Sequence, residues 1–95
     1  MSTFEQVTIL LDRTLGLNGR AGRFTPETPL LGAVPELDSM AVVLLLMEFE
    51  ASFGIVVEDD EVGAEMFETV QSLVEFVDGK LGRVPQVSLM RQVSQ

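Results

Sequence analysis

The sequence predicts an all-α fold, a four-helix bundle with a long loop between helices 1 and 2 and a short third helix. Three observations predict it. Apolar residues recur at helical spacing in separate segments, glycines stand where those segments stop, and 95 residues with 46% hydrophobic content suit one core.

The first helix carries Phe4, Val7, Leu11 and Leu15 on one face. Ser2 with Glu5, or Thr3 with Gln6, supplies a capping box at its start, and Gly16 ends it. From Asn18 to Glu36 the chain holds Gly19, Gly22, Pro26, Pro29, Gly32 and Pro35 without a sustained period. This predicts an ordered loop pinned to the core by Leu30 and Leu31, and a loop of such length tends to be functional. The second helix begins at Asp38 or Ser39 and runs to about Phe53, where Gly54 stops it. IVVEDDEVGAEMFE then predicts a short extended piece followed by one or two helical turns carrying Val62, Met66 and Phe67. Thr69 caps a last helix whose Val70, Leu73, Phe76, Val77 and Leu81 face inward, ending at Gly82. The domain therefore spans 1–82, and 83–95, polar and containing a proline, is expected to be a flexible tail.

Composition removes several classes of function. A net charge of −9 repels a phosphate backbone, which argues against nucleic acid as a partner. The longest apolar run, Met40 to Met47, falls short of the roughly 20 residues that span a bilayer, so no transmembrane segment is expected. MSTFEQVTIL lacks the basic segment of a secretory signal and cysteine is absent, which predicts a cytoplasmic protein without disulfides. Histidine is absent too, and with it Ser-His and Cys-His nucleophile systems. Lys80 is the only lysine, and nothing in its spacing from Ser39 supports a Ser-Lys pair. The acidic residues Glu58, Asp59, Asp60, Glu61, Glu65 and Glu68 lack the alternating ligand spacing of a calcium loop, and Gly63 is misplaced for one. They read as a solvated face and as first-turn acids favourable to a helix dipole, so no metal is expected.

At about 100° per residue the second helix has two apolar faces. Val42, Leu45, Leu46, Phe49 and Phe53 share one side; with two aromatic rings it is the better core candidate. Met40, Val43, Leu44, Met47 and Ala51 share the other, with Glu48 and Glu50 at the borders. Two readings of this second strip stand: the long loop covers it, or it is an exposed patch on which methionine offers adaptable contacts to other proteins.

Ser39 opens this helix, and in an arbitrary protein such a serine is a cap worth about 1 kcal/mol. Its surroundings are more specific. ELDSMAVVLLLMEFEASFGIVVEDDEV, followed by FETVQSLVEFV, resembles the acyl carrier protein family in residue type and order over about residues 3 to 82. The sharpest part is Leu37-Asp38-Ser39-Met40, similar to the family's Asp-Ser-Leu attachment motif with Met in place of Leu. The resemblance implies an acyl-carrier bundle in which Ser39 receives 4'-phosphopantetheine from coenzyme A through a separate phosphopantetheinyl transferase. Asp38 would be read by that transferase and its magnesium. The arm's thiol would hold acyl groups as thioesters for an acyl-loading ligase or synthase and for acyl-transfer enzymes. Asp before Ser, rather than His, implies an acyl rather than an aminoacyl cargo. GAVPELDSM is most similar to bacterial stand-alone carriers of exosortase and exopolysaccharide systems.

The chain also departs from the family pattern. Ala41 and Leu44 stand where the resemblance leads one to expect Asp and Glu on the outer side of the helix. Met40, Val43, Leu44, Met47 and Glu48 are accordingly the expected partner face, gripped through apolar contacts more than salt bridges. A monomer is expected, the apolar strip leaving room for weak self-association. Two other functions compete: a small acidic helical adaptor without prosthetic group, in which Ser39 only caps, and a hydrolase, which lacks His, Cys or a placed Lys.

Overall fold

Helix α1 (Thr3–Leu15) begins with the first of the two expected capping boxes. Ser2 Oγ accepts the Glu5 amide at 3.1 Å, and the Glu5 carboxylate accepts the Ser2 amide at 3.3 Å. The helix ends at Gly16 in the left-handed region, φ +66°, which glycine enters without steric cost. Val7, Leu10, Leu11 and Leu15 are buried, while Phe4 is only half-buried. This computed structural model describes residues 2–82, so the tail expected at 83–95 lies outside the described residues.

The connection to α2 is ordered by its own polar groups and by a distant partner. The Asp12 carboxylate accepts the amides of Gly19 and Ala21, both at 3.1 Å, and so builds a 3-10 turn, Arg20–Arg23, that buries Ala21. Further on, the backbone runs beside the start of the last helix. Leu30 and Leu31 donate to the carbonyls of Glu68 and Phe67 at 3.1 and 2.9 Å, while Val70 and Gln71 donate to those of Thr28 and Pro26 at 3.0 and 2.9 Å. Leu30 is fully buried, as expected. Leu31 is not: its side chain is exposed, at the start of a turn in which the amides of Ala33 and Val34 donate to the Leu30 carbonyl at 3.1 and 2.9 Å.

Helix α2 (Ser39–Phe53) starts and stops within the expected bounds, with Gly54 at φ +68° as its C-cap. Leu45 and Phe49 are fully buried, and Phe49 meets Phe53 edge to face with ring centres 6.0 Å apart. Helix α3 (Val70–Leu81) is capped by Thr69, whose hydroxyl accepts the Ser72 amide at 3.2 Å. Val70, Leu73, Val74 and Val77 are buried; Phe76 and Leu81 pack partly exposed. At the far end Thr3 Oγ1 donates to Asp78 Oδ1 at 2.6 Å, joining the start of α1 to the last turns of α3.

The expected short third helix is realised as 3-10 turns, Asp59–Glu61 and Ala64–Phe67, the second burying Met66 and Phe67. The described fold is thus all-α with three α-helices, the turn Ala64–Phe67 standing where the short third of four helices was expected. In that turn the amides of Met66 and Glu68 donate to the carbonyls of Gly63 and Glu65, three residues back, at 3.1 and 3.3 Å, and the chain then passes directly into its backbone pairing with the long loop.

Candidate functional site

Two adjacent polar residues divide the work at the N-terminus of α2. Asp38 is extended (φ −111°, ψ −175°) and turns its carboxylate back onto the helix, where Oδ1 accepts the Ala41 amide at 2.8 Å. Its carbonyl accepts the Val42 amide at 2.9 Å. Asp38 is therefore the cap. Ser39, the first helical residue, is exposed, and its hydroxyl makes no hydrogen bond to any described residue. The reading of Ser39 as a cap is overturned, since its neighbour already fills that role. The amides of Ser39 and Met40 have no acceptor among the described residues, as the first turn of a helix requires.

A free primary alcohol thus stands at the positive end of a 15-residue helix with unpaired donors beside it. A phosphate ester on that oxygen gains roughly 0.3–1 kcal/mol from the helix dipole at an exposed position. These residues fit a phosphate-linked group. The chain leading to Ser39 is anchored by buried Leu37 and by an ion pair between Arg20 and Glu36. Hydrogen bonding from Arg20, helped by the Glu36 amide, holds the Glu36 carboxyl below the usual carboxylate range.

The strip on the outer side of α2 is open. Met40, Val43, Leu44 and Met47 are 66%, 51%, 45% and 59% exposed, so the long loop does not cover them. Ala41, expected on this outer side, is buried, because it lies one turn before Leu45 and follows it inward. The border acids are both engaged within the molecule. Glu48 accepts from Arg13 of α1 at 3.0 Å, and Glu50 accepts the Val57 amide at 2.8 Å.

A feature that sequence reasoning missed lies on the opposite flank of Ser39. Leu31, Val42, Val62, Ala64 and Phe67 line an apolar cleft of about 240 Å³ with Ser39 and Gly63 at its edge. Its one legible signal was the Leu30-Leu31 doublet, one leucine facing the core and the next facing this cleft.

The sequence is 32% identical over 79 residues to the acyl carrier protein of Thermotoga maritima, covering 83% of this chain and 91% of that protein. This chain belongs to the acyl carrier protein family. The solution structure of a holo acyl carrier protein from Nitrosomonas europaea superposes with a TM-score of 0.81 at 43% identity, covering 87% of this chain and all of that one. No family model matches the sequence. The protein is accordingly an acyl carrier, which holds acyl groups as thioesters on 4'-phosphopantetheine and serves biosynthetic enzymes without being one.

The remaining candidates fall into place around the carrier. Among the described residues no group of three carboxylates could hold a metal, and no helix is long and apolar enough to cross a membrane. Glu58, Asp59, Asp60, Glu61, Glu65 and Glu68 are exposed, in keeping with a solvated face. Within them the Glu61 carboxylate accepts the Glu58 amide at 2.9 Å, and Lys80 Nζ lies 2.5 Å from Glu61 Oε1. Lys80 is thus bound to an acid at the end of α3 and lines a groove that does not include Ser39, which removes the last support for a hydrolase.

Proposed function

We propose that Ser39 is the attachment point of the phosphopantetheine arm and that Asp38 is read by the transferase that installs it. One observation carries this reading: the Ser39 hydroxyl is exposed and unbonded while the capping duty rests on Asp38. In the modification, the Ser39 oxygen attacks the pyrophosphate of coenzyme A at the phosphorus nearer pantetheine. One P–O bond forms as another breaks, the serine proton is given up, and 3',5'-adenosine bisphosphate departs. The chain's own share is to present the oxygen and to offer the Ser39 and Met40 amides to the phosphate oxygens. The arm then supplies the thiol that bears the acyl group. Intact mass after incubation with coenzyme A and a broad transferase tests the assignment. The native chain gains one phosphopantetheinyl group and Ser39→Ala gains none; modification of the alanine variant would refute it.

The same reading assigns the partner face to Met40, Val43, Leu44 and Met47, with Glu48 on its polar rim. Loading ligases or synthases and acyl-transfer enzymes dock there chiefly through apolar contact, because Glu48 already holds Arg13 and Glu50 holds the Val57 amide. Such binding depends weakly on salt. An affinity for a cognate enzyme that collapses at high ionic strength would contradict it. A monomeric carrier at work in the cytoplasm completes the reading, supported by the cysteine-free sequence.

A further inference from the structure

The described part of the chain leaves an acidic face on α3 unanswered. Two open grooves of about 670 and 420 Å³ share Glu61, Glu75 and Phe76 there, and the larger is also lined by Glu65, Glu68 and Met66. Among these acids Glu61 has a cation, Lys80. Glu65, Glu68 and Glu75 form no ion pair with any described residue. The smaller groove reaches Gly79 and Lys80, close to Gly82, where the described chain leaves the bundle.

The segment that follows has the matching chemistry. Residues 83–95 carry Arg83 and Arg91 and none of the chain's 15 acidic residues. Between the two arginines stand Val84, Val87, Leu89 and Met90. Gly82 ends α3 in the left-handed region, φ +76°, and Pro85 disfavours a resumed helix in the same direction, so the route back is open. The length suffices. At a rise of about 1.5 Å per residue α3 is about 18 Å long, which about six extended residues retrace at roughly 3.3 Å each. Residues from Leu89 onward therefore reach Glu68 and Glu65, and Arg91 is among them.

We propose that residues 83–95 turn back at Gly82 and lie antiparallel along α3 in this groove, with Val84, Val87, Leu89 and Met90 over Phe76 and Met66 and with Arg91 between Glu65 and Glu68. The occupant is the chain's own end because it is tethered at the mouth of the groove. Tethering gives it an effective concentration in the millimolar range, at which weak exposed ion pairs and modest apolar contact suffice. The expectation of a free tail thus gives way to that of a seated one. The contact does not depend on Ser39, and its groove includes no residue of α2, so the open strip on that helix stays clear.

Paramagnetic relaxation measured by NMR tests it. The cysteine-free sequence allows a single nitroxide label on Ser94→Cys of the full, unmodified chain. Amides 65–69 should then relax faster than amides 3–6, which stand at the end of the bundle where the chain exits, beside Asp78. A segment swinging freely from Gly82 would do the reverse. Arg91→Glu should cut the enhancement at 65–69 by roughly two- to fivefold, the share of one exposed ion pair. Adding Glu65→Lys and Glu68→Lys, both at exposed positions of the groove, should restore it. Faster relaxation at 3–6 than at 65–69, an enhancement untouched by Arg91→Glu, or no recovery with the compensating lysines would overturn the proposal. So would enhancement at 65–69 in isotope-labelled chains mixed with spin-labelled chains of natural isotope content, since the groove would then hold the end of a second copy.

Discussion

Replacing Asp38 and Ser39 one at a time separates the capping duty of Asp38 from the attachment duty proposed for Ser39. Asp38→Ala deletes a carboxylate that accepts the Ala41 amide at 2.8 Å, and loss of such a cap costs about 1 kcal/mol, within a range of roughly 0.5–2. That figure includes the charge's attraction to the helix dipole, about 0.3–1 kcal/mol at an exposed site. For a domain of this size each kcal/mol lowers Tm by about 4–8 °C, so Asp38→Ala should melt lower by roughly 4–8 °C. Asp38→Asn keeps an acceptor at the cap and should recover most of the loss. Ser39→Ala removes a hydroxyl that bonds to nothing described, and its stability should stay within about 0.5 kcal/mol of wild type. Circular dichroism melts read the structural duty, and intact mass after the transferase reaction reads the chemical one. Ser39→Ala should be stable and unmodified; Asp38→Asn should be near-stable but modified slowly. A Ser39→Ala protein that melts as low as Asp38→Ala, or an Asp38→Ala protein that melts with wild type, would refute the division of labour.

Three further outcomes are expected. Phe49→Ala empties a fully buried site between the helices and should destabilise by about 3–5 kcal/mol, enough to unfold much of a small domain in urea titrations at 25 °C. Leu44→Glu and Met47→Glu, on the open strip, should leave urea midpoints nearly unchanged while weakening capture by a cognate loading enzyme in surface binding assays. Glu36 and Glu61 are held below the ordinary carboxylate value of 4.5 by hydrogen bonds from Arg20 and Lys80. A folded-state value lower than the unfolded one gives stability that is present above that pH and lost as pH falls through the folded value. Melting temperature should therefore decline on acidification below about pH 4.5, and less steeply in Glu36→Gln/Glu61→Gln.

Much of this fold was legible because its helices are punctuated locally. Gly16, Gly54 and Gly82 all adopt the left-handed conformation that stops a helix, and Ser2 and Thr69 both cap as their positions suggest. The same periodicity divided α2 into two faces and chose the one with Leu45 and Phe49 for the core, while it left open whether Met40, Val43, Leu44 and Met47 would be covered; they are exposed. What could not be read depends on partners distant in sequence. The amides of Met66 and Glu68 close onto carbonyls three residues back, and residues 67–71 pair with residues 26–31, a contact that no local pattern in the sequence announces. Ala41 went astray because one small residue on a face boundary carries little periodic signal. At the site itself, Asp38 and Ser39 are equally good caps by residue type. Only the extended backbone of Asp38 decides between them, and with it which oxygen is free.

The backbone pairing between residues 26–31 and 67–71 sets a timetable for biosynthesis. While the chain is still emerging from the ribosome, the segment leading to Ser39 has been made but the groups that clamp it have not. A nascent chain halted before α3 lacks both the clamp and the Thr3–Asp78 tie. Prosthetic loading that depends on a firmly held acceptor must therefore wait for the last quarter of the domain to be translated.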